Sequence, residues 1–126
     1  MDVVAPGFSV FQGLATLAFS SLCIGVHGVF SATSSMIPAL DRALFRAYES
    51  EDFEGCRRLQ SLQIRLVRLL TAYGCPIGLG LKKAMETRGL CGSETLYPTR
   101  ASGVGIADQI GPVLDDIQRV LDSGNG

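Results

Sequence analysis

The chain has 126 residues, of which 47% are hydrophobic and 18% are charged, and its formal net charge is -1. This balance is typical of one globular domain and excludes an intrinsically disordered chain. The basic residues occupy segments that also carry Glu and Asp. The sequence therefore predicts solvated helix faces and no phosphate-binding stripe for nucleic acid.

The first third of the chain predicts a β-α-β unit. A loop from Asp2 leads into a short buried strand that ends at Gln12, where Gly13 follows. Residues 14–24 are apolar on nearly all sides, which predicts a helix packed between a sheet and other protein, closed by Gly25. Residues 26–31 predict a second buried strand, because both faces are apolar. This order predicts two parallel strands.

The remainder of the chain predicts helices. One helix begins with Pro38 near its first turn and breaks at residues 50–52. A longer helix over residues 53–73 carries one apolar stripe, and a short helix follows over residues 79–88. A loop rich in Gly, Ser, Thr and Pro precedes the last helix, in which Pro112 is predicted to lie in the first turn or at a kink. The apolar residues of this helix recur at helical spacing and are Ile110, Val113, Leu114, Ile117, Val120 and Leu121.

The four cysteines are Cys23, Cys56, Cys75 and Cys91, with no CxxC pair and no His at ligand spacing. Neither a zinc site nor a redox dithiol is therefore predicted, and we expect no metal and no cofactor. Their scatter through apolar segments predicts reduced core thiols in an intracellular protein. A secreted chain with two disulfides is the alternative.

A long segment without charged side chains, apart from a charge on His27, runs between Asp2 and Asp41. Its length would permit a transmembrane helix. Its glycines and serines, and the absence of flanking Lys or Arg, favour a buried core instead. Asp2 and the missing basic n-region also argue against a secretory signal. We predict no membrane contact and a cytoplasmic location, with the mitochondrion as the alternative compartment.

Common catalytic motifs are missing from the sequence: it has no GxSxG, P-loop or HExxH. The GVG near residue 104 lacks both a preceding strand and the third glycine of a dinucleotide site. His27 is the sole histidine and is predicted to be a turn residue. Adjacent carboxylates on a helix do not face each other, so general acid-base catalysis by such a pair is not predicted.

Several stretches, taken together, resemble one enzyme family. GVHGVFSATSSMIP resembles the segment at the eighth strand of the dihydrodipicolinate synthase and N-acetylneuraminate lyase family, which are class I aldolases that bind pyruvate-like substrates on a lysine. SVFQGLA resembles the seventh strand, YGCPIGLGLKKAMETRGLCG a later helix with its glycine turn, and LYPTR the loop before the last helix. These pieces cover nearly all of the chain in the family's order.

The resemblance implies an α/β fold that is part of a (β/α)8 TIM barrel, with its last two strands and a C-terminal helical bundle, and mostly helical. Residues 1–39 would form the last two β/α units and residues 40–126 the C-terminal helices of the same domain. A whole barrel of this kind has about 250 residues. The strands that would neighbour these two are thus not encoded in the chain.

The resemblance also implies candidate substrate-binding residues. Gly13 corresponds to the glycine whose backbone approaches the substrate, and Phe30 and Ser31 match strand-eight positions that line the barrel mouth. A strand-ending turn at Gly13 and packing roles for Phe30 and Ser31 are the alternatives. No catalytic residue is predicted, because the family's Schiff-base lysine lies on the sixth strand. Lys82 and Lys83 are expected to have a helix-surface role.

Departures from the family pattern narrow the substrate class. Leu14 and Ala15 stand where many members have acidic residues, and Ser35 stands in place of an Asn. These differences argue against sialic acid and favour aldolases for 4-hydroxy-2-oxo or 2-keto-3-deoxy acids. The implied partner is a small keto acid in the full-length parent, whose relatives are often homo-oligomers.

A different class of function remains open. The amphipathic stripe from Cys56 to Tyr73 could make the helices from residue 40 onward a non-catalytic interaction module, which binds a partner or completes a barrel supplied in trans.

Overall fold

A computed structural model describes residues 7–72, 76–95 and 105–123. In chain order its elements are β1 (Phe11–Gln12), a 3-10 turn (Ala15–Leu17), α1 (Ala18–Cys23), β2 (Gly28–Val29), a second 3-10 turn (Ala32–Ser35), α2 (Pro38–Glu49), α3 (Phe53–Leu70), α4 (Ile77–Thr87) and α5 (Ile106–Ser123). The chain divides into two compact units, Met1–Ile64 and Arg65–Gly126. The division into 1–39 and 40–126 that the resemblance implies stays a prediction.

Some predictions fall outside the described residues. These are the loop at Asp2, the helix end at residues 73–74, the state of Cys75, the LYPTR loop and most of the GVG near residue 104.

The two strands are parallel, as the β-α-β order predicts. Phe11 pairs with Gly28 and Gln12 with Val29. The Phe30 N–H extends the pairing by donating to the Gln12 carbonyl oxygen at 2.8 Å. Each strand is only two residues long, so the sheet is shorter than the sequence predicts.

The Phe11 ring lies against Gly28 across this sheet. A Cβ added at Gly28 would lie 2.5 Å from Phe11 Cε1. The Phe11 ring therefore occupies the space that a side chain at position 28 would need.

The predicted burial of the two strands is wrong for their phenylalanines, although Gly28 is buried. The exposed fractions are 66% for Phe8, 60% for Phe11 and 84% for Phe30. The physical reason is that the sheet of the described residues has only two strands, so these rings have no further strand to pack on. Closure of a sheet into a barrel is what buries inward-facing side chains in this class of fold.

Residues 14–24 are helical but are not buried on all sides, which corrects the prediction. Ala18 and Leu22 are buried, whereas Leu14 and Ile24 are exposed. Gly25 follows the helix with φ +88° and donates its N–H to the Leu22 carbonyl oxygen at 2.9 Å. Gly25 therefore terminates this helix in the left-handed conformation, as predicted.

Helix α2 begins at Pro38 and ends before Ser50, as predicted. The break contains Glu51, with φ 59°, and Asp52, whose Oδ1 accepts the Gly55 N–H at 2.8 Å. This bond satisfies one of the free N–H groups in the first turn of α3.

The apolar stripe of α3 is buried within the chain itself. Its buried members are Cys56, Leu59, Leu66, Leu69 and Leu70. The Gln60 side chain, beside this stripe, accepts the Phe19 N–H at 2.8 Å and donates to the Ala15 carbonyl oxygen at 2.9 Å. Since these five side chains are already covered, they do not offer a free face to a partner.

Helices α4 and α5 pack together in the second unit. Leu79 and Ile106 form part of their shared core. The buried face of α5 matches the predicted helical spacing and consists of Ile106, Ile110, Val113, Leu114, Ile117 and Leu121. Pro112 is the seventh residue of α5 and thus lies beyond the predicted first turn.

An ion pair links α3 to α5 within the second unit. Arg65 Nη1 donates to Asp116 Oδ2 at 2.7 Å, and Arg119 also contacts this carboxylate. The hydrogen bond from Arg65 lowers the pKa of Asp116 below its usual value. The pair is partly exposed, so its contribution to stability is small.

The cysteine prediction is right only in part. Cys56 is buried, and burial raises the pKa of its thiol. Cys23 and Cys91 are exposed, because one ends α1 and the other lies in the loop after α4. All three are free thiols.

In the part of the chain that the structure describes, no helix combines the length and apolar character needed to cross a membrane.

Candidate functional site

The three predicted site residues lie where the two strands end. Gly13 directly follows β1, and Phe30 and Ser31 directly follow β2. Because the strands are parallel, their carboxyl ends lie at the same edge of the sheet. The hydrogen bond from Phe30 N–H to the Gln12 carbonyl oxygen, at 2.8 Å, brings the two strand ends together.

Gly13 has open space where a side chain would stand. No described atom lies within 4 Å of a Cβ built at this position. The neighbouring Gln12 fixes the loop, since its Oε1 accepts the Leu14 N–H at 2.9 Å and its Nε2 donates to Ser21 Oγ at 2.7 Å. Packing within the described residues thus does not require glycine here, and a ligand has room to approach the backbone.

Ser31 begins a hydrogen-bond network that leads away from the strand end. Its Oγ lies 3.0 Å from Thr33 Oγ1 and 2.9 Å from Ser34 Oγ. Ser34 Oγ donates to Asp41 Oδ2 at 2.5 Å, and Gln63 Nε2 donates to Asp41 Oδ1 at 2.5 Å. We call these five residues the Ser31–Gln63 network. It ties the end of β2 to α2 and α3.

Asp41 is the charged centre of the Ser31–Gln63 network. Burial raises the pKa of its carboxyl, and the hydrogen bonds from Ser34 and Gln63 oppose that shift only in part. Gln63 is fully buried, and in the described part of the chain its Oε1 has no hydrogen-bond partner. Both described donors to the Asp41 carboxylate, the Ser34 hydroxyl and the Gln63 amide, are therefore neutral groups.

Sequence reasoning missed this network, although one signal for it exists. Gln63 stands at a position of α3 that the spacing of Cys56, Leu59, Leu66 and Leu70 predicts to be buried. A polar side chain at such a position needs a buried partner. Asp41 gives no comparable signal, because an acidic residue is ordinary in the first turn of a helix.

Asp41→Asn is expected to change how stability depends on pH. A carboxyl whose pKa is raised by folding contributes stability that is present below its unfolded value of 3.8 and is lost as pH rises through the raised pKa. The variant has no carboxyl at position 41 and does not lose stability in this way. Its free energy of unfolding should therefore increase relative to that of the parent between pH 3.8 and neutrality. Urea unfolding followed by circular dichroism at both pH values measures this difference. The exposed Asp115→Asn is the control, and a parallel pH dependence of the Asp41→Asn and parent chains would contradict the assignment.

Other titratable candidates have structural partners. His27 lies in the turn before β2, as predicted, and its Nδ1 accepts the Val10 N–H at 3.0 Å. Lys82 lies on α4 in the second unit and donates to the backbone oxygen of Glu94. Among the residues that the structure describes, no group of three His, Cys, Asp or Glu side chains could hold a metal ion.

The groups at the strand ends can orient a ligand through hydrogen bonds. Gln12 supplies an amide, Ser31 a hydroxyl and Gly13 its backbone, all of which can hydrogen-bond a polar ligand. None of these three residues carries the amine that forms an imine with a carbonyl compound.

The sequence profile of the dihydrodipicolinate synthetase family matches residues 1–102. The chain belongs to this family. Curated members of the dihydrodipicolinate synthetase family that it resembles include the 4-hydroxy-tetrahydrodipicolinate synthase of Hyphomonas neptunium, with 34% identity over 85 residues, and that of Exiguobacterium sibiricum, with 32% identity over 108 residues. These matches cover 67% and 85% of this chain. They span only 28% and 36% of the length of the two relatives.

Two solved structures share the fold of this chain. The dihydrodipicolinate synthase from Bacteroides thetaiotaomicron matches with a TM-score of 0.72 and 25% identity, covering 88% of this chain and 38% of that one. YagE, an E. coli K12 prophage protein of the dihydrodipicolinic acid synthase family solved in complex with pyruvate, has the same TM-score at 18% identity, covering 90% of this chain and 38% of its own. The predicted fold class, a partial (β/α)8 barrel with C-terminal helices, is confirmed.

Proposed function

We propose that this chain forms the last two β/α units and the C-terminal helices of a class I aldolase. Its substrate would be pyruvate or a 2-keto-3-deoxy or 4-hydroxy-2-oxo acid. The observation that carries the proposal is the position of Gly13, Phe30 and Ser31 at the carboxyl ends of adjacent parallel strands. In barrels of this class the active site lies at that edge.

Each of the three residues has a distinct role in this proposal. The open space at Gly13 lets the keto acid approach the backbone of the loop after β1. Phe30, 84% exposed, supplies an apolar wall, and Ser31 supplies a hydroxyl that the Ser31–Gln63 network orients. The proposed imine forms between the substrate carbonyl and a lysine amine with loss of water. That lysine would lie on a preceding strand of the barrel, which residues 1–126 do not include.

The organisation and setting of the aldolase are part of the proposal. Residues 1–39 would supply the barrel part and residues 40–126 the helices of one domain. The enzyme would act in the cytoplasm and assemble as a homo-oligomer, and its C-terminal portion alone would lack the reaction.

Trapping the imine tests this function. Pyruvate and borohydride should leave the mass of this chain unchanged, and a reduced adduct on Lys82 or Lys83 would refute the proposed role of the chain. In a chimera, this chain replaces the matched 85-residue segment of the Hyphomonas neptunium synthase and everything after it. The chimera should form the reduced pyruvate adduct on the lysine of the synthase portion.

Gly13→Ala in the chimera tests the site itself. The added methyl group meets no described atom within 4 Å, so the fold should be unchanged. It would occupy the space of the substrate, and the apparent affinity for pyruvate should fall about tenfold, which corresponds to about 1.4 kcal/mol. Gly78→Ala, on α4, is the matched control, because its Cβ also has no neighbour within 4 Å. Equal adduct formation in both variants would refute the assignment of Gly13.

A further inference from the structure

The Ser31–Gln63 network fixes the direction in which each of its hydroxyl groups donates. A serine or threonine hydroxyl has one proton to donate and two lone pairs that accept, whereas an ionised carboxylate only accepts. Ser34 Oγ engages Asp41 Oδ2 and Gln63 Nε2 engages Asp41 Oδ1, each at 2.5 Å. Ser34 therefore gives its single hydroxyl proton to Asp41 and has none left for another partner.

Ser31 must then be the donor to Ser34. The two hydroxyl oxygens lie 2.9 Å apart, a hydrogen-bond distance that requires one proton between them. Since the proton of Ser34 lies toward Asp41, the proton between the two serines is that of Ser31. Thr33 Oγ1 lies 3.0 Å from Ser31 Oγ on its other side. Because Ser31 has no second proton, Thr33 donates to it.

One lone pair of the Ser31 hydroxyl oxygen remains for a ligand. Ser31 Oγ donates to Ser34 and accepts from Thr33, and it makes no other hydrogen bond with the residues that the structure describes. Thr33 is only 2% exposed, whereas Ser31 is partly exposed and directly follows β2. At this edge of the sheet Ser31 thus presents an acceptor and not a donor.

We propose that Ser31 is a specificity-determining residue that accepts a hydrogen bond from the hydroxyl group of a hydroxylated keto acid, with Ser34 and Asp41 as its positioning residues. This assignment rests on the proposed function and narrows its substrates to the 4-hydroxy-2-oxo and 2-keto-3-deoxy acids, since pyruvate has no hydroxyl group to donate. A ligand carboxylate in the same place would bring its lone pairs against those of the Ser31 oxygen with no proton between them.

Three probes that differ at a single carbon atom test the direction of the Ser31 hydroxyl. They are 2-oxobutanoate, 4-hydroxy-2-oxobutanoate and oxaloacetate, whose fourth carbon is a methyl, a hydroxymethyl and a carboxylate group. NMR titration of the full chain, followed at the Ser31 amide, measures a dissociation constant for each probe. The hydroxymethyl probe should bind about tenfold more tightly than either of the others, which is the upper worth of one hydrogen bond. Equal affinities, or binding of none of the probes, would overturn the assignment of Ser31.

Asp41→Asn should reverse the order of the probes. Gln63 Nε2 donates to Oδ1 at position 41, so an asparagine keeps its carbonyl oxygen there and turns its Nδ2 toward Ser34. Because Nδ2 is a donor, Ser34 is free to donate to Ser31, and Ser31 keeps its own proton for the ligand. The variant should therefore bind oxaloacetate more tightly than the hydroxymethyl probe. An order of affinities unchanged from the parent would contradict the proposed hydrogen-bond directions.

Ser34→Ala separates the direction of the hydroxyl from the charge of the network, because it keeps the Asp41 carboxylate. Without the Ser34 oxygen, the Ser31 proton is free for a ligand, and the preference for the hydroxymethyl probe over oxaloacetate should disappear. Ser35→Ala is the matched control, since Ser35 Oγ donates to a backbone carbonyl oxygen at 2.7 Å, outside the network, and it should keep the order of the parent. If Ser34→Ala keeps that order too, the charge of Asp41 sets the preference and the assignment of Ser31 is wrong.

The outcome can be separated from that of the proposed function. A preference of the parent for the hydroxymethyl probe, without a reduced pyruvate adduct in the chimera, would support the direction of the Ser31 hydroxyl while counting against imine chemistry. Adduct formation in the chimera with equal affinities of the full chain for the three probes would support imine chemistry and overturn the assignment of Ser31.

Discussion

Gly80→Ala is expected to destabilise the second unit by about 2 to 3 kcal/mol, the upper range for overpacking a core. A Cβ at Gly80 would overlap the backbone oxygen of Leu70 and lie 2.9 Å from its carbonyl carbon. Leu70 is fully buried, and its backbone cannot rotate away as the end of a flexible side chain can. Helix α4 would have to move away from the end of α3, which would open their packing.

Gly78→Ala provides the control within the same helix. A Cβ at Gly78 meets no described atom within 4 Å. Replacing glycine by alanine in a helix is favourable by up to about 1 kcal/mol. The two variants should therefore shift the urea midpoint, followed by circular dichroism, in opposite directions. Equal midpoints would show that Gly80 does not approach Leu70 as closely as the structure indicates.

The isolated chain is expected to be helical but to self-associate through residues 8–32. Exposed apolar side chains are concentrated there, and the five with the largest exposed fractions are Phe8, Phe11, Leu14, Ile24 and Phe30. Burying one such side chain is worth about 1.5 to 3 kcal/mol. These five side chains are already partly covered. Leaving the rest of their surface exposed costs on the order of 5 kcal/mol of stabilising free energy, which is comparable to the net stability of a small domain.

Light scattering and calorimetry measure this self-association. Phe11→Ser with Phe30→Ser should lower the average mass of the particles, because both changes remove exposed rings from the strand region. Ile77→Ser with Leu90→Ser is the matched control, with exposed fractions of 39% and 54% at sites outside residues 8–32. A monodisperse monomer with a cooperative thermal transition in the parent chain would contradict the expectation.

Local patterns in the sequence predicted the elements well. The apolar spacing of α3 and α5 and the turn at Gly25 depend on residues close together in the chain, and the structure confirms them. Burial was predicted poorly for Phe30, because it depends on neighbours that a local run does not contain. The close approach of Gly80 to Leu70 escaped prediction for the same reason, since it joins two different helices.

The candidate site likewise contains residues that the sequence indicated and residues that it did not. Gly13, Phe30 and Ser31 came from the resemblance to a family, and no periodicity or spacing would have selected them. Asp41 and Gln63 meet across 22 positions of sequence, so a local pattern could not pair them. Their contact depends on how α2 and α3 pack, which sequence periodicity leaves open.

The close packing of the Phe11 ring on Gly28 has a consequence for how the sequence can evolve. A side chain at position 28 would overlap the Phe11 ring, with a Cβ only 2.5 Å from Cε1. A side chain at position 28 therefore displaces the Phe11 ring, which is 60% exposed, and is better accommodated in a background where residue 11 has already become smaller. The two positions are expected to covary among descendants of this sequence.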